Sequence, residues 1–319
     1  MTRNEIEREL LKNDSTVLSF PNRGPWGDNK YRGNCSGWIQ AFLIWKYRVK
    51  MFAELFAGGG TGYDVANDMG IAYVGADLNP VATRPGILNV DAVTHEVPEE
   101  FLAADMIFMH PPYGAEIRIP YAGNMFPDPT GELSKSDLGQ MPWEKFMKTL
   151  NIIIMKYYVA MGSGSRMAVL MGDVRRGGIF HSMLTDMVKP GQLEQIIIKC
   201  QHNCTSFGRS YSNNNFVPLV HEYIMVLKKL APYMIAFQLP QEYQVDIRDS
   251  SSATWRDVVS AAFQRAGHLS SLTLEEIYAE IDGHKKCLAN PHWRDKVRQV
   301  LQQYQCFVPV KRGVWAMGA

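Results

Sequence analysis

No run of apolar residues in this sequence is long enough to cross a bilayer. The longest, such as residues 151–161, is broken by Lys156 and falls short of the roughly 20 residues that a spanning helix needs, so no membrane partner is expected. Cysteine is scarce. Cys35, Cys200, Cys204, Cys287 and Cys306 are odd in number and form no CxxC pair, which argues against a disulfide framework and a zinc knuckle. Reduced thiols in a cytoplasmic protein, with no bound metal, are the expectation. The opening MTRNEIERELLKND has no apolar stretch of the kind a secretory signal carries. Excess charge is missing too: 33 Lys and Arg against 32 Asp and Glu give a net +1, so any nucleic-acid partner must be read from local patches. What is present is apolar material, 46% of 319 residues, enough for a real core in one large domain with a small appendage.

Along the chain, a short polar helix candidate leads into a loop dense in Gly, Pro and Asn over residues 20–37, and residues 38–47 read as a helix. From Lys50 the pattern becomes short apolar runs, MFAELFA, IAYVGADLN and DMIFM, with helices near 63–69 and 143–161 and further strands near 167–171, 193–199 and 222–227. Strands alternating with helices predict an α/β domain over residues 1–245, with a mostly parallel twisted sheet covered on both faces. A connector through Pro232 and Pro240 and the polar run 249–252 put a boundary near residue 250. Residues 252–319 read as three short helices and a hairpin.

The first chemical signal is Glu54 at a strand end, followed by the glycine turn Gly58-Gly59-Gly60-Thr61-Gly62 opening a helix. Glycines there let a ligand approach the backbone closely. Asp77, at the tip of the next strand, is placed to accept the two ribose hydroxyls of a nucleoside. Nicotinamide, flavin and S-adenosylmethionine sites share this arrangement. The spacing departs from G-x-G-x-x-G, and no Lys follows Gly62 as a phosphate loop requires, which leans away from dinucleotides and triphosphates. The second signal is His110-Pro111-Pro112-Tyr113 after an apolar strand. Two prolines remove two N–H donors and leave an edge of acceptors. Such an edge draws the hydrogens of a base's exocyclic amine and favours its attack on a methyl sulfonium, while Tyr113 can stack on an extruded base.

Together the two segments resemble the amino-methylating DNA methyltransferases, the N6-adenine and N4-cytosine enzymes that use S-adenosylmethionine. Their cofactor loop is similar to residues 54–60. Their catalytic motif, usually Asp, Asn or Ser followed by Pro-Pro-Tyr, is similar to His110, Pro111, Pro112 and Tyr113. The likeness extends over residues 20–229 and includes Tyr31-Arg-Gly-Asn-Cys-Ser-Gly37, Asp91 and the closing strand 221–228. It implies a Rossmann-like methyltransferase that holds S-adenosylmethionine through Asn34, Ser36, Glu54, Phe56, Gly58, Gly60, Thr61, Asp77, Leu78 and Asp91. It also implies a duplex DNA substrate with a flipped base, adenine N6 ahead of cytosine N4, and admits a homodimer and a companion restriction endonuclease. An RNA methyltransferase and a decayed DNA-binding regulator are the rivals. His110 departs from the family's Asp, Asn or Ser. A neutral imidazole can accept one hydrogen bond and an imidazolium none, so the sequence predicts loss of methylation as pH falls through about 6.5.

Arg175 and Arg176 follow a strand and are read either as phosphate contacts at the site's edge or as part of a solvated turn. The polar stretch 201–215 reads as a loop that closes over the flipped strand or as ordinary surface. In the last segment, a helix from Thr254 ends at Gly267, Thr273-Leu-Glu-Glu276 is a capping box, and Asn290-Pro291 opens a third helix with Pro at its first position. The whole resembles a winged helix-turn-helix domain. Nine basic against six acidic residues over 252–319 leave a local +3. On this reading Arg294, Arg298, Gln299 and Gln302 of the third helix, with Lys311 and Arg312 at the wing tip, contact DNA. The other reading is a packing or dimerising module.

Overall fold

The computed structural model describes residues 1–115, 119–202, 204, 217–230, 237–238, 253–265 and 271–318. The chain divides into two units, Met1–Pro240 and Gln241–Ala319. The polar run 249–252, Pro232, Pro240 and, of the polar stretch 201–215, residues 203 and 205–215 lie outside the described residues.

In the larger unit the chain order is α1 (Arg3–Leu10), β1 (Val17–Leu18), α2 (Gly37–Tyr47), β2 (Met51–Leu55), α3 (Thr61–Met69), β3 (Ala72–Asp77), β4 (Ile87–Asn89), β5 (Met106–Met109), α4 (Trp143–Ala160) and β6 (Arg166–Met171). These are followed by β7 (Val174–Arg176), β8 (Ile179–His181), α5 (Met183–Asp186), β9 (Lys189–Pro190), β10 (Gln192–Cys200), β11 (His221–Lys228) and β12 (Phe237–Gln238). The main sheet runs β1-β10-β11-β6-β5-β2-β3-β4. From β4 through β6 neighbouring strands are parallel, while β11 is antiparallel to both β6 and β10. This is the doubly wound, Rossmann-like α/β arrangement that the sequence predicts.

The strands form here because both of their faces are covered. Ala53, Leu55, Ile107 and Met109 are buried with Phe146, Leu150, Ile153 and Tyr157 of α4. Phe52, Met106, Phe108 and Leu170 are buried on the other side with Ile6 and Leu10 of α1, Ile39 and Leu43 of α2, and Val65 and Met69 of α3. Side chains alternate across a strand, so sequences such as MIFM and MAVLM must be apolar at every position.

The strand order fixes where a ligand can bind. After β2 the chain proceeds outward to β3 and β4, then returns to place β5 on the other side of β2. The crevice between diverging connections lies at the carboxyl ends of β2 and β5. Leu55 and Met109 are register partners, so the glycine turn and the His110 turn leave the sheet side by side.

Residues 172–178, expected as a turn, instead run into a two-stranded hairpin, β7 with β8, turned at Gly177 and Gly178, both at positive φ. Arg175 is engaged within it: its guanidinium donates to the Val217 carbonyl at 2.9 Å and lies over the Phe180 ring. Arg176 is exposed.

The smaller unit contains α6 (Trp255–Arg265), β13 (Leu272–Thr273), α7 (Leu274–Ile281), α8 (Lys285–Leu288), α9 (Trp293–Gln303), β14 (Phe307–Lys311) and β15 (Val314–Met317), with sheet order β13-β15-β14. Its own core joins Val258, Phe263, Ile277, Ile281, Val297, Leu301 and Phe307. The Thr273–Glu276 capping box forms as expected. Two details correct the sequence reading. The helix predicted from Asn290-Pro291 begins at Trp293, because the Asn290 side chain accepts the His292 N–H at 3.0 Å and its carbonyl accepts the Trp293 N–H, which leaves Pro291 in a turn. The short helix α8, capped by His284, is additional.

Candidate active site

After β2 the backbone turns through Phe56 (φ +66°), Gly58 (φ +48°) and Gly60 (φ +76°) before α3 begins. A left-handed phenylalanine costs energy and is tolerated where surrounding structure enforces it. Gly58 needs its missing side chain: a Cβ would sit 2.9 Å from the Tyr31 ring. Gly62, inside α3, lets Glu54 close in, since a Cβ there would fall 2.3 Å from Glu54 Oε2. The buried Glu54 carboxyl accepts the Tyr73 hydroxyl at 2.7 Å and the Gln40 amide. Burial pushes its pKa up to about 8 despite these hydrogen bonds and that from the Gly62 N–H.

Asp77 ends β3 and accepts the Gly58 N–H at 2.8 Å and the Asn79 N–H at 2.9 Å. Burial raises its pKa and the two backbone donors partly offset the rise. Each oxygen keeps a lone pair, so the carboxylate both pins the glycine turn and can accept ligand hydroxyls. Asp91 is held by Ser136, Thr94 and the Val93 N–H. Burial opposes its ionisation, but these hydrogen bonds win and keep its pKa below the usual value. The 20–37 segment folds back on the turn: the Asp28 N–H donates to the Gly59 carbonyl, and the Thr61 hydroxyl donates to Asn34 Oδ1 at 3.2 Å.

At the end of β5, His110 Nε2 lies 3.2 Å from the Tyr113 hydroxyl, which donates to Glu222 Oε1 at 3.0 Å. Glu222 and Lys199 are cross-strand partners on β11 and β10 and form an ion pair. Burial pushes the His110 pKa down to about 4; the Glu222 charge opposes this and Lys199 adds to it. The expected titration near 6.5 is thereby corrected. Tyr113 differs from a free stacking platform in that its hydroxyl is anchored. Gly172 makes room for it, since a Cβ there would stand 3.3 Å from the Tyr113 ring and 3.2 Å from Glu222.

These groups border one cleft with two chambers. The first is lined by Tyr31, Asn34, Glu54, Phe56, Gly58, Thr61, Asp77, Leu78, Asp91, His110 and Pro112, among others. The second is lined by His110, Pro111, Pro112, Tyr113, Ile119, Lys199, Gln201 and Glu222, and shares Gly33, Asn34, Cys35 and Tyr121 with the first. Two of the expected cofactor residues are not in the lining. The Ser36 hydroxyl donates to the Arg23 carbonyl, and Gly60 faces Arg84, whose Cγ a Cβ would meet at 2.3 Å. Lys199, Glu222 and Gln40, which line the cleft, and Tyr73, which holds Glu54 from behind, are residues that the sequence reading does not single out. A glutamate in the otherwise apolar strand EYIMVL was the one available signal, since buried carboxylates require partners.

In the smaller unit Arg294, Arg298, Gln299, Gln302, Lys311 and Arg312 are exposed. Arg294 lies over the Tyr278 and Trp293 rings, and Arg298 pairs with Asp295. Among the described residues no cluster of His, Cys, Asp and Glu is arranged to hold a metal ion, and no helix is long and apolar enough to cross a membrane.

No protein-family model and no curated protein matches the chain. Among solved structures it is similar to TrmN from Thermus thermophilus, at 15% identity and a TM-score of 0.36 over 62% of this chain and 50% of that one. It is also similar to a SAM dependent methyltransferase from Archaeoglobus fulgidus, at 12% identity and a TM-score of 0.33 over 60% of this chain and 93% of that one. A third is the precorrin-6y C5,15-methyltransferase from Geobacter metallireducens, at 13% and 0.29 over 63% and 91%. The chain thus spans half the length of the Thermus thermophilus protein. At this level of similarity the fold rests on the strand order itself.

Proposed function

We propose that the chain is an S-adenosylmethionine-dependent amino-methyltransferase acting on adenine N6 in DNA. The observation that carries this reading is that His110 and Pro112 border the same cleft as Gly58 and Asp77, at the ends of two strands paired Leu55 to Met109. A turn aimed elsewhere would have removed the chemistry.

The cleft's charges suit this cofactor. Among the described lining residues of the first chamber stand the carboxyl groups of Asp77, Asp91 and Asp137, with Glu54 keeping its proton at neutral pH, against one guanidinium, Arg32. A pyrophosphate would meet like charge there, whereas a sulfonium with an ammonium and ribose hydroxyls meets acceptors. Bound S-adenosylmethionine would supply an electrophilic methyl group. Asp77 is placed to take the ribose hydroxyls, and Tyr31, packed on Gly58, to cover the turn. Asp91, Ala92 and Val93 border the end suited to an adenine. His110 accepts a hydrogen of the target amine, and Tyr113 lines the second chamber.

DNA as substrate is supported by the smaller unit. Its order of helix, strand, helices and hairpin is compatible with the winged helix-turn-helix reading, and α9 and the tip of the β14–β15 hairpin carry exposed basic and amide side chains. Such side chains serve phosphate contact and base readout. The test is to incubate the protein with the cofactor and either duplex DNA or RNA, digest to nucleosides and identify the modified base. N6-methyladenine from DNA is expected. N4-methylcytosine, or modification of RNA alone, would overturn the substrate assignment, and no methylated nucleoside would overturn the activity.

A further inference from the structure

We propose that Glu222, acting through the Tyr113 hydroxyl, holds His110 in the tautomer protonated on Nε2, so that Nδ1 is the atom that accepts the target amine's hydrogen and then its departing proton. The use of Nδ1 rests on the amino-methyltransferase reading above; the tautomer does not.

One chain of hydrogen bonds joins Lys199, Glu222, Tyr113 and His110. Lys199 donates to Glu222 from the directly opposed position on β10. Burial alone would raise the Glu222 pKa, but the Lys199 charge and the hydrogen bonds from Lys199 and Tyr113 oppose it, and the acid is held below its usual range. An ionised carboxylate only accepts, so the Tyr113 hydroxyl, 3.0 Å from Oε1, must spend its single proton on Glu222. The 3.2 Å contact between that hydroxyl and His110 Nε2 then needs a proton from the ring. A neutral imidazole carries one N–H, which leaves the lone pair on Nδ1. Among the described residues Nδ1 has no hydrogen-bond partner, and the ring borders both chambers.

The ring's other neighbours leave it neutral. Lys199 disfavours the imidazolium and Glu222 favours it, with burial dominating. The Cys35 thiol and the Tyr121 phenol, which border the same cleft, are both pushed up to about 12, mainly by burial, and carry no charge at working pH. Burial and Glu222 likewise keep the Tyr113 phenol protonated. An Asp, Asn or Ser at this position offers an acceptor in any orientation. A histidine offers one only in the right tautomer, so replacing such a residue with His110 makes Tyr113 and Glu222 positioning residues.

The step balances simply. One N–H bond of the amine is exchanged for N–CH3, the donor's sulfonium becomes a thioether, and one proton leaves the nitrogen. Nδ1 takes it, giving an imidazolium whose Nε2–H still faces Tyr113 and, beyond it, the Glu222 charge; water then removes it.

The test is long-range nitrogen–proton NMR on protein carrying 15N-labelled histidine, with His110 assigned by its loss in His110→Gln. The wild type is expected to show His110 protonated on Nε2 alone. Tyr113→Phe keeps the ring but removes the hydroxyl, so the Nδ1–H form should become populated, with kcat about tenfold lower, the scale of one neutral hydrogen bond, and KM little changed. Glu222→Gln, whose amide can either accept from Tyr113 or donate to it, loosens that constraint, so the Nδ1–H form should gain population and the ring's titration should move to lower pH. A wild-type ring protonated on Nδ1, or an unchanged tautomer and kcat in Tyr113→Phe, would overturn the proposal. Because the tautomer is read without turnover, an inactive protein with the expected tautomer would count against the methyltransferase reading and not against this hydrogen-bond chain.

Discussion

Replacing Glu54 with Gln should flatten the pH dependence of the protein's stability between pH 5 and 8. The Glu54 side chain is only 4% exposed, and burial lifts its pKa from 4.5 to about 8 against the pull of Tyr73, Gln40 and Gly62. The sign follows from proton counting. Between these two values the unfolded chain has lost the proton and the folded chain keeps it, so folding takes up a proton. The associated stability is fully present below about 4.5, declines as pH rises and is gone above about 8, at up to about 1.4 kcal/mol per pH unit. Between pH 5 and 8 this amounts to on the order of 3 kcal/mol. Urea unfolding at constant ionic strength across that range, on wild type and Glu54→Gln, isolates the contribution, because other groups titrate alike in both. The variant is expected to lose most of the slope. Parallel curves would show that Glu54 is ionised in the folded protein and refute the reasoning.

Three further outcomes are expected. Methyl transfer should stay level from pH 7.5 to 5.5 and fall only toward pH 4, where the half-buried His110 ring titrates; half-loss near 6.5 in a rate profile would contradict the geometry. Gly58→Ala should destabilise the protein by about 1 to 3 kcal/mol, since it combines a left-handed backbone with a Cβ 2.9 Å from the Tyr31 ring; a change below about 0.5 kcal/mol in urea unfolding would contradict it. Changing both Lys311 and Arg312 to Gln should weaken DNA binding for all sequences alike and lower the salt slope by about 2; an unchanged slope in a salt titration would remove the hairpin tip from the interface.

Parts of this architecture are legible because local chemistry dictates them. MIFM and MAVLM can only be strands covered on both faces, and the glycine turn and the His110 turn announce themselves because each is contiguous in the chain. The Thr273–Glu276 box is equally local. What escapes is long-range or subtle. Lys199 and Glu222 meet through the register of β10 on β11, which no window of sequence contains. The His110 titration depends on burial beneath elements far away in the chain. Ser36 stands outside the cleft lining because its hydroxyl turns to the Arg23 carbonyl, and α9 starts later than the Asn290-Pro291 signal predicts because Asn290 makes its own turn. The strands Val17–Leu18 and Ile87–Asn89 are too short to leave a periodicity.

The most direct measurement is single-turnover transfer of a labelled methyl group from S-adenosylmethionine to duplex DNA, comparing wild type with His110→Ala while cofactor affinity is followed by calorimetry. The account predicts label in N6-methyladenine from the wild type and a loss of about 100-fold or more in the variant, with cofactor affinity little altered. Equal transfer by both proteins, or no transfer by the wild type despite bound cofactor, would contradict it.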